Sequence, residues 1–492
     1  MAFESLIPEV PPTSMTKGNM AASANNNLDF SASVAGILNE KHSPEHLQAL
    51  KSFTAALREE EYRDAVEEDV FSSLLALLIQ LQTELQSADR DAGALESATL
   101  QLQLTAECFR AQRNSCVHSA RNQKLFRDLG FIDESFKLLS FLLRNLNLGI
   151  DAIFEPLRCG IQFLGNLGVG NPSCQDDIWQ LSFPGVFLQL LSVDDDKVMN
   201  YTAMVFHTCL DEAKVEDLSK PQNIKLALKV MELCRTHPEV DWTVLIATQH
   251  FLKSAALVES MYSQMDHQER VTLLELLQAQ LKEEEFEGCG IPPSVARFLA
   301  SSFQTGCGAV LSLATGSGSN DEALTVISLL DVLCEMTSDH KQFMFLQDQP
   351  DFLLTTVELL QQVHAIGKAS KNIFSAAQNF SSFSEGSDAS PHSPVISFKA
   401  HLIRLIGNLC HRNTSNQNKV WIGCNIDSNN PFISQWAIFT IRNLLENNEQ
   451  NQELVASLEQ RGPVDYSALR ELGFLVEERD GSLLLKTVRK DS

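Results

Sequence analysis

The sequence has little of what marks a nucleotide-binding enzyme or a disulfide-stabilised protein. It contains only four Trp and four Tyr in 492 residues, and its 11 cysteines include no C-x-x-C pair. The phosphate-binding pattern G-x-x-x-x-G-K-[ST] does not occur, and the stretch 306–308 lacks the third glycine of a dinucleotide-binding turn. Scattered cysteines in apolar segments, such as Cys159, Cys209, Cys234 and Cys334, are typical of a reducing compartment.

Long apolar runs and basic runs are also missing. The longest apolar stretch, near 136–148, is interrupted by Lys137 and Arg144, and no basic segment followed by an apolar one opens the chain. We therefore expect a cytoplasmic protein with no signal peptide and no membrane insertion. The net charge of −25 disfavours nucleic acid as a partner. Acidic runs such as 194–196 are most simply solvated, with docking of basic partners as the alternative.

What the sequence does contain is a repeated Asn-rich signature. In three copies an Asn near the end of an apolar stretch is followed by a second Asn five residues later and by Gln nine residues later. The leading residues of these copies are Asn166, Asn408 and Asn443. A weaker copy starts at Asn114 and keeps the later Asn-Gln pair. Self-similarity over a few tens of residues is typical of helical-repeat proteins.

The spacing of the copies indicates the class of repeat. Asn166 and Thr208, the latter in a weaker match, are 42 residues apart, within the ~40–47 of armadillo and HEAT units. Leu-rich segments with apolar residues three and four apart predict helices, and a hairpin over 474–488 is the best candidate for strands. We predict an all-α, armadillo/HEAT-like helical-repeat solenoid. Two unrelated helices that share Asn caps are the alternative.

Composition divides the chain into four parts. The predicted domains are a disordered tail over 1–43, armadillo-like helical repeats over 44–366, a Ser-rich flexible linker over 367–396, and a C-terminal repeat domain over 397–492. The first helix should begin at Pro44 with Ser43 as its N-cap. Breaks between helices are expected at 237–238, 288–293 and 316–321.

No arrangement of residues predicts catalysis, a cofactor or a metal. Cys410 and His411 are adjacent, so their side chains diverge on a helix and are better explained as a core cysteine and a capping histidine. His207 lies in an apolar helix and is expected to be a core residue. We therefore predict a binding protein without catalytic, cofactor or metal residues.

The repeated Asn residues are the candidate binding residues. In stacked repeats one helix of each unit lines a groove, where side-chain amides can bond both backbone groups of an extended peptide. Asn166, Asn408 and Asn443 are candidates for such a peptide groove. The alternative, equally open, is that they cap helices and satisfy the protein's own backbone.

The C-terminal segment resembles a known family. The stretches 402–410, 416–420, 428–432 and 441–452, with 157–160 and 163–166 further upstream, are similar to the ataxin-10 family. The resemblance covers most of the chain from about residue 100. It implies a cytosolic armadillo-repeat scaffold that self-associates. Neuron survival, neurite outgrowth and cytokinesis are the implied roles, at perinuclear, midbody and centrosome or basal-body sites.

The resemblance also implies candidate protein partners, namely a G-protein beta subunit and the O-linked N-acetylglucosamine transferase. Nuclear-import adaptors share the fold class but place Trp four residues before the groove Asn. Here those positions are Gln162, Arg404 and Phe439, which argues against cargo-signal binding. An armadillo-like exchange factor or chaperone acting on a G protein is the alternative function, and nucleotide-release kinetics would distinguish it.

Two further expectations concern the C-terminal third. Ser390 and Ser393 each precede Pro, so we expect phosphorylation by proline-directed kinases. Asn408 and Asn443 are only 35 residues apart. The shortened repeat around 420–435 predicts either a short loop or the loss of part of a helix.

Overall fold

The structure is a computed structural model that describes most of the chain. The described residues are 42–283, 290–314, 321–338, 341–369, 372–376, 394–420 and 431–456, together with the backbone of 474–479 and 482–487. The predicted tail, apart from its last two residues, lies outside these ranges. So do the centre of the predicted linker, Ser390 and Ser393, and the centre of the short repeat at 421–430.

The chain divides into two compact units, the first made of residues 1–211 and 237–246 and the second of 212–236 and 247–492. Up to the division at residue 211 the α-helices are α1 Pro44–Ala56, α2 Glu60–Ala65, α3 Glu68–Gln86, α4 Ala92–Ser97, α5 Thr99–Ser115, α6 Ala120–Leu129, α7 Phe131–Asn145, α8 Phe154–Gly168, α9 Pro172–Ser182, α10 Gly185–Leu190 and α11 Asp196–Cys209. Within the first unit α8 packs against α5 on one side and α11 on the other.

The remaining helices run through the rest of the described chain. They are α12 Glu212–Leu218, α13 Ile224–Thr236, α14 Asp241–Gln249, α15 Ala255–Gln264, α16 His267–Glu283, α17 Pro293–Gly306, α18 Asp321–Ser338, α19 Phe352–Ala369, α20 Ile373–Ala376, α21 Pro394–Cys410, α22 Thr414–Lys419, α23 Pro431–Leu445 and α24 Glu449–Ala456. Within the second unit α21 packs between α18 and α23.

Helix formation follows the apolar periodicity of the sequence. In α3 the buried side chains recur every three or four residues, from Val70 and Phe71 through Leu74 and Leu78 to Leu85, which places them on one face of a helix. None of the helices in the described ranges combines the length and the apolar character that crossing a bilayer requires. The prediction of an all-α helical-repeat fold is confirmed.

Phenylalanine supplies much of the core of the first unit. The ring of Phe126 lies 4.3 Å from Phe131, 4.8 Å from Phe71 and 5.9 Å from Phe163 between centroids. All four rings are fully buried, so the helices α3, α6, α7 and α8 share one aromatic cluster. This use of Phe explains how a chain with few Trp and Tyr residues builds a dense core.

Most local predictions agree with the structure. Helix α1 starts at Pro44 after Ser43, although the Ser43 side chain makes no capping bond. New helices begin at Asp241, Pro293 and Asp321, at the end of the predicted breaks or shortly after them. Strands β1 Phe474–Arg479 and β2 Ser482–Thr487 pair antiparallel, with Phe474 opposite Thr487, as the hairpin prediction required.

Two side chains are less buried than the sequence suggested. Cys234 and His207 are half-buried. His207 lies at the edge of its helix's apolar stripe, whereas Cys234 lies within the stripe, two residues before helix α13 ends. The His207 ring lies 5.2 Å from that of Trp242. The predicted boundaries of domains at 366 and 397 are not decided by the division at residue 211, and they stay predictions.

Candidate functional site

Each copy of the Asn signature begins where a helix ends in a left-handed residue. The residue four positions after the leading Asn has a positive φ in all four copies. These residues and their φ angles are His118 at 51°, Gly170 at 69°, Arg412 at 53° and Asn447 at 54°. A left-handed residue is a common way to stop an α-helix. The signature therefore marks a helix end, as predicted.

The second Asn of each strong copy starts the next helix. Its side-chain oxygen accepts a hydrogen bond from the backbone N–H three residues later, at 3.2 Å for Asn171 and at 3.0 Å for Asn413 and Asn448. This is the N-cap bond that satisfies an otherwise unpaired helix N–H. The second Asn of each strong copy is therefore the N-cap of the helix that follows it.

The leading Asn connects its helix to the preceding one. The side-chain N–H of Asn166 donates to the Arg113 carbonyl at 3.1 Å, and that of Asn443 donates to the Gly407 carbonyl at 3.0 Å. In both cases the acceptor immediately precedes the leading Asn of the earlier copy. Asn408 also bonds to the preceding helix, but to the Cys334 carbonyl at 3.2 Å and to the Thr337 and Ser338 hydroxyls at 3.1 and 3.2 Å. These bonds run between neighbouring repeats.

In two copies the Gln of the signature connects its repeat to the following one, whereas Gln175 donates to the Gly168 carbonyl of its own repeat at 2.8 Å. Three glutamines make the same pair of bonds: Gln123, Gln347 and Gln417. Each donates from its side-chain nitrogen to two backbone carbonyls at the end of the next helix. The acceptor pairs are Asn166 at 2.9 Å and Val169 at 2.9 Å, Asn408 at 3.0 Å and His411 at 2.9 Å, and Asn443 at 2.8 Å and Glu446 at 3.3 Å, respectively. Carbonyls at a helix C-terminus lack intrahelical partners. The Gln amide supplies one.

Gln347 belongs to a copy that sequence spacing does not reveal. Nine residues before it stands Ser338 instead of Asn. The Ser338 hydroxyl and the Cys334 carbonyl both accept from the Asn408 amide. The two Gln347 bonds match those of Gln123 and Gln417 although the leading Asn is replaced, and the structure reveals this copy where the sequence does not.

A glycine before the leading Asn allows the repeats to approach. A methyl group at Gly407 would lie 2.6 Å from Thr440 Oγ1 and 3.2 Å from Thr440 Cα. The Thr440 hydroxyl in turn donates to the Ile403 carbonyl at 2.7 Å. Helix α23 thus packs directly on the backbone of α21.

These contacts leave little of the surface of the leading Asn side chains accessible to a ligand. Asn408 and Asn443 are 4% and 1% exposed, and Asn166 is half-buried with its amide nitrogen bonded to Arg113. An extended peptide would have to displace bonds that join the helices. The geometry favours the alternative in which these side chains satisfy the protein's own backbone, and the peptide-groove role remains a prediction.

On the face of α21 that carries Asn408, a charged and aromatic cluster remains accessible. Arg404 donates to the Glu335 carboxylate at 3.1 Å, and its guanidinium carbon lies 4.9 Å from the centre of the Trp436 ring. The Trp436 and Phe439 rings meet edge to face at 5.6 Å. Trp436 and Phe439 are both half-buried. We call Glu335, Arg404, Trp436 and Phe439 the aromatic-arginine face.

The aromatic-arginine face differs from a lysine-binding groove. The position four residues before Asn408 holds Arg404, whose guanidinium already covers Trp436. A second cation would meet a like charge there, which costs interaction energy. This agrees with the expectation that cargo-signal binding is not the function.

In the first unit the corresponding face is lined by arginines. Arg110 pairs with Glu107 at 2.8 Å and also with Glu155. Arg113 donates to the Gln162 side-chain oxygen at 2.6 Å. Burial lowers the pKa of the Arg113 guanidinium from its ordinary range.

The cysteine and histidine singled out in the sequence do not meet. Burial raises the pKa of the Cys410 thiol to about 12, so it is protonated at neutral pH and a poor nucleophile. The His411 ring faces Glu446 at 3.4 Å. Another histidine, His401, pairs with Asp331, and within the described ranges no hydroxyl or thiol hydrogen-bonds to the other ring nitrogen of His401.

Comparison with known proteins identifies the family. Residues 398–486 match the model of the spinocerebellar ataxia type 10 protein domain. Ataxin-10 of Xenopus tropicalis is 41% identical over 446 residues, which cover 88% of this chain and 90% of the relative. Ataxin-10 of Homo sapiens is 38% identical over 462 residues, with coverage of 90% and 94%.

Among solved structures the similarity is weaker. An engineered protein matches with a TM-score of 0.35 and 15% identity, over 85% of this chain and 98% of the other. A match at that level supports no argument about function or mechanism.

Proposed function

This chain belongs to the ataxin-10 family, and from that premise we propose that it is a non-catalytic scaffold that binds other proteins through the aromatic-arginine face. The observation that carries the proposal is the accessible cluster of Arg404, Trp436 and Phe439 beside buried Asn residues. Half-buried Trp and Arg are the residue types that dominate binding energy in protein interfaces. The Asn signature holds the helices that present them.

Partners and cellular roles belong to the same proposal. Family resemblance supports self-association, binding to a G-protein beta subunit and binding to the O-linked N-acetylglucosamine transferase. It also supports roles in neuron survival, neurite outgrowth and cytokinesis, at perinuclear, midbody and centrosome or basal-body sites. A bound partner at the aromatic-arginine face would bury the rest of Trp436, which is half-buried and packs against the Arg404 guanidinium.

The test is proximity labelling in dividing cells with the full chain and two variants. Trp436→Ala should lose specific partners, because a truncated interface anchor commonly costs about 2 kcal/mol or more, roughly 30-fold in affinity. Leu354→Ala is the control, since Leu354 is an exposed apolar residue of the same unit on α19. Both variants must unfold thermally within a few degrees of the parent chain.

Three results would overturn the proposal or part of it. An unchanged set of partners for a folded Trp436→Ala chain would remove the aromatic-arginine face as the binding surface. Turnover of a substrate by the purified chain, lost on one point substitution, would show that it is an enzyme. Faster nucleotide release from a G protein on addition of the purified chain would favour the exchange-factor function instead.

A further inference from the structure

Three potential metal ligands meet in the first unit. They are Asp196, the first residue of α11, and His237 and Glu239, which lie between α13 and α14. One ligand atom of each lies within 4.8 Å of the others. An imidazole nitrogen with carboxylate oxygens is a ligand set used for Zn²⁺, whereas Ca²⁺ and Mg²⁺ prefer oxygen ligands alone.

The backbone fixes both segments without help from a metal. The Val240 N–H donates to the His237 carbonyl at 3.0 Å, which closes a turn around Pro238, a residue suited to the second position of such a turn. On the other side, Asp195 accepts from the Val198 N–H at 2.8 Å and pairs with Arg158. Asp195 is therefore occupied, and Asp196 follows it at a defined place on the helix.

Charge at this place favours a cation. Asp196 and Glu239 are exposed and His237 is half-buried. Within the described ranges neither of the two carboxylates forms an ion pair with a basic side chain. Two carboxylates held close together repel each other, and a bound divalent cation removes that repulsion.

We propose that Asp196, His237 and Glu239 bind a divalent transition-metal ion of the Zn²⁺ class. Three protein ligands leave the fourth tetrahedral position to water. The metal joins the turn at 237–240 to the start of α11, both of which belong to the first unit. It fastens the segment 237–246, which returns to this unit after residues 212–236.

The test is a titration of the metal-stripped full chain with Zn²⁺ by calorimetry. The expected result is one site of micromolar affinity that weakens at least tenfold in His237→Ala and in Asp196→Asn. Asp194→Asn is the matched control, because Asp194 is an exposed neighbour in the same acidic run. It should bind Zn²⁺ as the parent chain does. Zn²⁺ should raise the thermal midpoint of the parent chain but not that of His237→Ala.

Several outcomes would overturn the proposal. Equal weakening in Asp194→Asn and Asp196→Asn would indicate diffuse attraction to an acidic run. Unchanged binding in a folded His237→Ala chain, or no binding below millimolar Zn²⁺, would also contradict it. Co²⁺ provides an independent check, since thiolate charge-transfer bands in its spectrum would place the metal on cysteine instead.

Discussion

At the scale of single residues, the left-handed position after each leading Asn is filled by four different residue types. They are His118, Gly170, Arg412 and Asn447. A left-handed backbone costs an ordinary L-residue roughly 1–2 kcal/mol, whereas glycine avoids that cost and Asn tolerates the conformation. The chain therefore accepts a strained backbone at His118 and Arg412, where the Gln123 and Gln417 side chains bond to the next helix.

This strain predicts opposite effects of two substitutions. Gly170→Ala should destabilise the chain by about 1 kcal/mol, because the φ of 69° at Gly170 is unfavourable for alanine. The space around Gly170 is open, so a steric clash does not add to this cost. Arg412→Gly should be neutral or stabilise by up to about 1 kcal/mol. Its long contact of 3.9 Å with Glu446 is exposed and contributes little. Urea unfolding of both variants checks this, and a neutral Gly170→Ala would contradict it.

Buried thiols predict a dependence of stability on alkaline pH. Burial raises the pKa of Cys410 from 9.0 to about 12. The stability that this protonated thiol contributes is full below pH 9 and is lost as the pH rises toward 12, because only the unfolded chain ionises there. Cys410→Ala should therefore show a smaller fall in unfolding free energy between pH 9 and pH 11 than the parent. Identical slopes would contradict the shift.

At the scale of elements, the close contact between α21 and α23 predicts a steric effect. Gly407→Ala should destabilise by about 1–3 kcal/mol, because its methyl group meets the backbone of Thr440 at 3.2 Å. Gly306→Ala is the matched control, as Gly306 ends helix α17 with nothing within 4 Å. The control should be neutral or stabilise slightly. Equal effects on thermal unfolding would show that the glycine is not required for packing.

Features formed by residues close together in the chain could be predicted from the sequence, whereas contacts between residues far apart in the chain could not. Helix ends at Asn166 or Asn408 are local events that a short motif encodes, so the boundaries near them agree with the structure. The bonding role of Gln347 could not be predicted from the sequence because its partners, the Asn408 and His411 carbonyls, are 61 and 64 residues away. Spacing within one repeat carries no information about which helix lies next to it.

The role of the leading Asn residues illustrates the same limit. The sequence is equally compatible with a role of these Asn side chains in a peptide groove and with a role in internal capping. The geometry favours internal bonding because Asn443 is buried, and its burial depends on how closely the repeats stack at Gly407. Asp196 and His237 likewise lie 41 residues apart and meet only in the folded unit.

At the scale of the whole molecule, the short repeat raises a question about local stability. The 35-residue spacing from Asn408 to Asn443 predicts that residues 398–462 open more readily than 100–215. The bond between Asn443 and Gly407 nevertheless matches that between Asn166 and Arg113, at 3.0 and 3.1 Å. Hydrogen exchange of the full chain tests the expectation. Equal protection in the two regions would show that the short repeat packs as well as a longer one.

Side chains of the Asn-Gln signature, such as Asn166, Asn443 and Gln417, join neighbouring repeats, and substitution of Gln417 tests this most directly. Gln417 is 1% exposed and donates to three carbonyls, at Cys410, Asn443 and Glu446. Gln452 has the same place in its copy, but it is exposed, and among the described residues its side chain donates to Leu445 of its own repeat alone. The pair is therefore matched in sequence and differs in its bonds to a neighbouring described helix.

The measurement is the free energy of unfolding of Gln417→Ala and Gln452→Ala full chains in urea, with hydrogen exchange over 431–456. We predict a loss of about 2–3 kcal/mol for Gln417→Ala, because buried carbonyls are left without partners. The loss for Gln452→Ala should stay below about 1 kcal/mol, and faster exchange should appear only in Gln417→Ala. Equal losses, or unchanged exchange in Gln417→Ala, would contradict the claim that this signature holds neighbouring repeats together.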